Sequence, residues 1–236
     1  SEVEKEIAAL SDTDLNARLG EWISNEQAVI EKAKDDFRFQ FGQQLTAIFE
    51  KDGLKLRGQY PLLRVGMFTL KLNFDLGEVT IFFGPEVEKL RARIALHPQA
   101  VHDAVKEYDA QMRSGTDMET AYEDMLEAYG RCLRVAGRAR GEKMPIVDVL
   151  REYVFLKQSR RFALDARREN FSEYPRIALS YMLYALRMKK AAEQGMRLHV
   201  ATFDATVDRS RSFWVPDSED GDGTHYEYIS FEPQAG

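Results

Sequence analysis

Between Leu15 and Phe49 the apolar positions Leu15, Leu19, Trp22, Ile23, Val29, Ile30, Ala33, Phe37, Phe41, Leu45, Ile48 and Phe49 recur at intervals of three and four. That is the period of one face of an α-helix. Ser11-Asp12-Thr13-Asp14 supplies a capping hydroxyl and first-turn carboxylates, and Gly53 closes the run. A helix over 12–51 would be roughly 60 Å long, more than the diameter of a compact chain of this size. Two arrangements fit. One is a bent or broken helix packed on its own domain, with Gly42 the candidate break; the other is a projecting arm whose apolar stripe meets a partner helix. Phe37, Phe41, Leu45 and Ile48 are expected in the core because only that half adjoins the next elements. Leu15, Leu19 and Trp22 are expected on the domain or on a second chain.

After Tyr60-Pro61 the period drops to two. Phe68, Leu70, Leu72 and Phe74 alternate with Thr69, Lys71 and Asn73, Asp75-Leu76-Gly77 turns the chain, and Val79, Ile81 and Phe83 return. This is a β-hairpin. Gly84-Pro85 ends the return strand and Pro85 suits the first turn of a helix. With Pro98 and the capping box Thr116-Asp117-Met118-Glu119, helices are expected over 86–96, 99–113 and 117–136.

Gly137 to Gly141 interrupts the pattern, and Met144-Pro145 opens another helix. Ile146, Val149, Leu150 and Tyr153 share one face of it, and helical projection puts Lys157, Arg160, Arg161, Arg167 and Arg168 on that same face. One face cannot be both core and multiply cationic. The helix therefore ends near Gln158-Ser159 or runs off the core, and either outcome exposes the arginines. Residues 175–193 are apolar almost all round and predict the central buried helix, with Leu183 fully buried. Strands are expected over Met196–Val207, Ser212–Val215 and Thr224–Phe231, with the acidic segment Asp217–Gly223 as a solvated hairpin tip. The fold class is α+β: a long N-terminal helix, a β-hairpin, a helical middle and C-terminal antiparallel strands forming one small sheet. Residues 1–55 read as the long N-terminal helical segment and 56–236 as the α+β globular core, together one domain.

Charge adds one feature to this pattern. Arg131–Arg168 carries 11 Lys/Arg against 4 acids in a chain whose net charge is −6. Nine of the 11 are arginine, whose planar fork suits phosphate and carboxylate oxygens. The candidate anion, nucleic-acid or partner-binding residues are Arg131, Arg134, Arg138, Arg140, Lys143, Lys157, Arg160, Arg161, Arg167 and Arg168. Tyr153, Phe155, Phe162, Phe171 and Tyr174 interleave with the stretch, as base stacking requires, although helical phase assigns most of them to the core. From Asp217 onward there are 6 acids and no Lys or Arg. This acidic tail and the acidic N-terminal helix are candidates to neutralise the basic stretch.

Candidate chemistry is sparse. Gly137-Arg-Ala-Arg-Gly141 has neither phosphate-loop spacing, and His97 and His102 are not at the helical i, i+4 spacing of a metal pair, so surface or capping roles are expected. Cys132 sits on an apolar stripe and reads as a small buried residue; a single cysteine allows no intrachain disulfide and suits the reducing cytoplasm. A metal-dependent nuclease would place an acid and an E-x-K on adjacent strands; here Asp75 and Glu78 are followed by Val79-Thr80, with Thr where Lys is required. The loop 217–223 shares only acidity with a calcium loop. No run of apolar residues is long enough to cross a bilayer, the longest being Ile177–Leu186.

The sequence thus predicts a cytoplasmic, non-enzymatic accessory subunit that binds a larger protein complex through helical surfaces, a complex acting on nucleic acid being one option, with no cofactor, metal or catalytic residue expected. Nucleic acid bound through 131–168 is the alternative partner. A nuclease-like enzyme at Asp75 and Glu78 is the weakest reading, and homo-oligomerisation through the N-terminal helix is compatible with the first.

Overall fold

The computed structural model describes residues 12–113, 120–189, 195–208 and 210–232, with the backbone alone for 12–16. Helix α1, Asp12–Lys51, is unbroken. It leads into an antiparallel meander of β1 (Leu56–Gln59), β2 (Leu62–Val65), β3 (Phe68–Asn73), β4 (Glu78–Phe83) and β5 (Glu88–Ala95), paired in sequence order. The predicted hairpin is β3–β4. Phe68 faces Phe83 and Asn73 faces Glu78, Asn73 Oδ1 accepts from the Leu76 amide at 3.0 Å, and Gly77 takes φ 65° to close the turn.

The helix expected at 86–96 is instead strand β5. Val87, Leu90 and Ile94 have helical spacing, but Gly84 and Glu86 at φ 63° and 58° turn the chain back on β4, where Ile94 faces Val79. Arg93 at φ 58° accompanies a register irregularity in that pairing, so the strand alternates imperfectly and its pattern imitates a helix. Helices α2 (Pro98–Arg113) and α3 (Ala121–Ala136) follow as expected; the capping box 116–119 and the Ser11 cap lie outside the described residues.

Bridge strand β6 (Met144–Pro145) runs into α4 (Ile146–Leu156), which stops before Gln158-Ser159; Ser159 then caps the five-residue α5 (Arg160–Leu164), accepting from the Phe162 amide at 3.3 Å. A single 3-10 turn, Arg168–Asn170, precedes α6 (Arg176–Met188). Leu183 and Met182 in α6 are 0% exposed, and the Ser180 hydroxyl donates to the Trp214 carbonyl at 2.6 Å, so α6 is the central helix. Residues 190–194 of the expected helix lie outside the described set.

The C-terminal sheet is built on β9 (Gly223–Phe231). One side pairs with β6 and with β8 (Phe213–Pro216), the other with β7 (Met196–Val200). The strand expected to reach Val207 ends at Val200, where the chain leaves β9 and makes one helical turn, α7 (Phe203–Thr206), that buries Ala205. Both sheets share one buried cluster, from Phe41 and Leu45 of α1 to Ile229 and Phe231 of β9. Trp214 stands at the seam, its ring 4.9 Å from that of Phe83 and perpendicular to it. A Cβ on Gly84 would come 2.8 Å from the Trp214 ring, which explains a glycine where the strand ends.

Candidate interaction surfaces

Helix α1 has two halves in different surroundings. Its C-terminal half lies on the body, with Phe41, Leu45 and Phe49 at 2%, 0% and 0% exposure. Ile48 is half-buried, and Phe37 remains 48% exposed. At the root, the rings of Phe37 and Phe41 stand perpendicular to that of Phe74, from the β3–β4 turn, with centroids 6.3 and 6.1 Å away, and the Tyr60 ring does so at 5.0 Å. Gly42 is not a break. A Cβ there would collide with the Tyr60 hydroxyl, so the glycine is a slot in a continuous helix.

Beyond that root, every residue from Ala17 to Ala33 is exposed. The stretch includes Leu19 (54%), Trp22 (59%), Val29 (63%) and Ile30 (50%). Leu19 and Trp22 therefore do not pack on the domain; the Leu15 side chain lies outside the described residues. At 100° per residue, Leu19, Trp22, Ile23, Glu26, Val29, Ile30 and Ala33 fall within a stripe about 120° wide. Glu26 is its one charged member.

The basic stretch divides. Lys157, just past α4, donates to Asp124 in the first turn of α3 at 2.7 Å, so α3 and α4 run antiparallel. Arg134, Arg138, Arg140 and Lys143 consequently lie toward one end of this helix pair, with Arg131 part-way along α3, while Arg160, Arg161, Arg167 and Arg168 follow Lys157 at the opposite end. Arg131 and Arg134 pair with Glu127 at 3.0 and 3.6 Å, Arg138 donates to the Lys143 carbonyl at 2.6 Å, and Arg167 pairs with Asp165 at 2.9 Å. Arg140, Lys143, Arg160, Arg161 and Arg168 are exposed, and no ion pair holds them among the described residues. Of the interleaved aromatics, Tyr153 is buried and Phe162 meets Phe171 in a T-shaped contact, centroids 5.5 Å apart, while Phe155 is 49% exposed.

The acidic loop turns away from that stretch. Asp220 pairs with Arg57 at 2.8 Å, Asp222 with Arg64 at 3.0 Å, Glu219 with Arg113 at 2.9 Å and Asp217 with Arg187 at 2.8 Å. It is the solvated tip of the β8–β9 hairpin, as expected, with all four of these carboxylates exposed, and the ion pairs additionally dock it on the body. Beside it opens a cleft of about 720 Å³ walled by the end of α1, β1, β2 and α2. There Asp52 accepts from His102 (2.8 Å) and Lys106 (3.1 Å), and the hydrogen bonds from His102 and then Lys106 hold its carboxyl below the usual range. His102 is thus buried and structural, a correction to its expected surface role, whereas His97 is exposed.

No family model, curated protein or solved structure matches this chain.

A second cleft, of about 330 Å³, brings the Ser212 hydroxyl 3.2 Å from Nδ1 of His225. Burial, reinforced by Arg176, lowers the His225 pKa. That is the spacing of a nucleophile and its base, but Ser212 is 2% exposed, and the pair ties the start of β8 to β9. Cys132 is buried as expected, and burial pushes its thiol up to about 11, away from reactive thiolate. Asp75 and Glu78 sit at the β3–β4 turn, lining neither cleft, and among the described residues no cluster of His, Cys, Asp or Glu has the geometry to hold a metal. No helix among the described residues is long and apolar enough to cross a membrane. The helix was legible in the sequence, whereas its projection as an arm was only one of two arrangements the sequence allowed. The cleft was not legible, because its wall and its loop come from residues 52–68, 105–113 and 219–220.

Proposed function

We propose that this chain is a non-enzymatic interaction subunit whose N-terminal arm docks on a helical surface of a larger protein. One observation carries the reading: from Ala17 to Ala33 no residue is covered, although Leu19, Trp22, Ile23, Val29 and Ile30 lie on one stripe. A helix wetted on all sides gains nothing from such a stripe, and contiguous exposed apolar surface marks an interaction site. Apolar anchors at i, i+3, i+4 and i+7 are how a helix is read by a groove or by a second helix. Glu26, within the stripe, favours a partner with a basic residue there, since a parallel, in-register second copy would set Glu26 against Glu26.

The test is copurification of the tagged chain from its native cell, beside an Ile23→Glu, Ile30→Glu variant. The reading expects a stoichiometric protein partner with the parent and none with the variant, at equal melting temperature. A partner retained by the variant overturns it.

A second reading, direct DNA or RNA binding through 131–168, draws support from the acidic loop, which pairs with other arginines and leaves Arg160, Arg161 and Arg168 to solvent. The separation of the stretch into two patches and the net charge of −6 weigh against it.

A further inference from the structure

We propose that the cleft between α2 and the β1–β2 hairpin is a receptor for an acidic peptide segment of a protein partner, and that residues 217–223 are its resident substitute. This goes beyond the arm and does not depend on it.

The argument begins with two arginines. Arg57 and Arg64 are direct cross-strand partners in the β1–β2 register. Like charges placed opposite one another on a sheet repel, so the pair calls for an anion. Here the anions are carboxylates from residues far along the chain: Asp220 on Arg57 and Asp222 on Arg64. The third cation, Arg113, is positioned without the loop. Its Nε donates to Asp109 at 3.0 Å and its Nη1 to the Tyr181 hydroxyl at 2.8 Å, with the guanidinium over the Tyr181 ring at 4.9 Å. Only Nη2 reaches the loop, at Glu219. Burial opposes the charge on Arg113, yet the hydrogen bonds it donates to Glu219 and Asp109 outweigh it and raise its pKa. A fork so held is ready for another carboxylate once Glu219 leaves.

The cleft continues past these contacts. Lys55 and Lys106 line it with the three arginines, and Val65, Met67, Phe68 and Val105 contribute buried apolar side chains. Of its lining acids, only Asp52 and Asp109 belong to the wall; Glu219 and Asp220 come from the loop. Five cations against two acids leave the wall at +3, and the three loop carboxylates Glu219, Asp220 and Asp222 neutralise it. The three loop pairs are half exposed on both sides, and such pairs each contribute little. They can be exchanged for an external chain bearing the same groups.

The loop is also packed closely along its backbone. Gly221, at φ 84°, lies against the β2–β3 turn so closely that a Cβ would sit 2.7 Å from the Gly66 carbonyl oxygen and 3.2 Å from Met67 Cα. The resident occupant is itself a peptide, with carboxylates at 219, 220 and 222, and the cleft volume suits a few residues of another. This favours a protein segment over a nucleic-acid backbone.

The test uses the full chain and a fluorescent peptide of residues 216–224, alongside its Asn/Gln counterpart and a single-stranded DNA oligonucleotide. The parent binds the acidic peptide weakly, because its own loop competes at high effective concentration. The triple variant Glu219→Gln, Asp220→Asn, Asp222→Asn binds it about tenfold or more tighter. Gly221→Ala, which unseats the loop with its charges intact, also binds more tightly than the parent and serves if the triple variant does not fold. Adding Arg57→Gln and Arg64→Gln abolishes the gain. Equal binding by parent and opened variants, binding that survives loss of both arginines, or an oligonucleotide that the peptide cannot displace would each overturn the proposal.

Discussion

The Tyr60 hydroxyl donates to the Arg38 main-chain carbonyl at 2.8 Å, reaching from the β1–β2 turn onto helix α1 through the gap that Gly42 leaves. A glycine inside a helix costs about 1 kcal/mol against alanine, so this slot opposes local propensity for the sake of a contact. It defines where the arm parts from the body. Gly42→Ala should destabilise the parent, because its methyl displaces the Tyr60 hydroxyl. In a Tyr60→Phe background, with the obstructing atom gone, the same change should stabilise by up to about 1 kcal/mol. Denaturant melts of the four proteins measure the coupling; additive effects would show that the slot is incidental.

Leu183 and Trp22 should behave oppositely on truncation. Leu183→Ala removes a fully buried side chain from α6 and should cost about 2–5 kcal/mol through lost transfer energy and the cavity left behind. Trp22→Ala on the arm should shift stability by no more than about 0.5 kcal/mol. The chain's two tryptophans give the complementary optical readout. In the free chain Trp22 should quench readily with acrylamide while Trp214, 4% exposed, should not. Partner engagement should protect the first.

Mild acid should weaken the fold through two half-buried histidines. Burial lowers the pKa of both His225 and His199 from the ordinary 6.5, with Arg176 adding to the effect on the first and Lys143 on the second. The unfolded chain then binds protons that the folded chain refuses. Stability is full above the unfolded value of 6.5 and declines as pH falls through the lower folded values. Melting temperatures taken from about pH 8 to about pH 5 should fall, and His225→Gln should flatten that slope.

Replacing Arg160, Arg161, Arg167 and Arg168 together by Glu should leave the melting temperature nearly unchanged, since all four are exposed and only Arg167 has an ion pair, to Asp165, among the described residues. If the parent is retained on nucleic acid at about 50 mM salt, retention should fall steeply as salt rises and vanish in this variant. A parent that is not retained removes the direct nucleic-acid reading.

What the sequence disclosed follows the reach of each signal. Helix α1, the β3–β4 hairpin and α6 depend on periodicity within a single segment, and each formed where the pattern put it. Strand β5 was misread because Val87, Leu90 and Ile94 have helical spacing, while the turn that makes them a strand depends on Gly84 and Glu86 at positive φ. The cleft needed pairings across more than 100 residues, such as Arg113 with Glu219, which no local window contains. One fragment of it was within reach. Arg57 and Arg64 stand symmetrically about the Tyr60-Pro61 turn, so a hairpin there already sets them opposite each other.

The arm also has a thermal character. An isolated helix must form its own first turn, the unfavourable step, whereas α1 receives a formed nucleus from the turns of Phe41, Leu45 and Phe49 held on the body. Order then propagates outward one residue at a time, with no packing to reinforce it. Amide hydrogen exchange should accordingly be graded along the helix, slowest near Phe49 and progressively faster toward Leu19, and warming should shorten the rod from its far end. A partner that clasps the stripe would abolish the gradient, so that the length of helix in this protein becomes a reporter of whether it is alone.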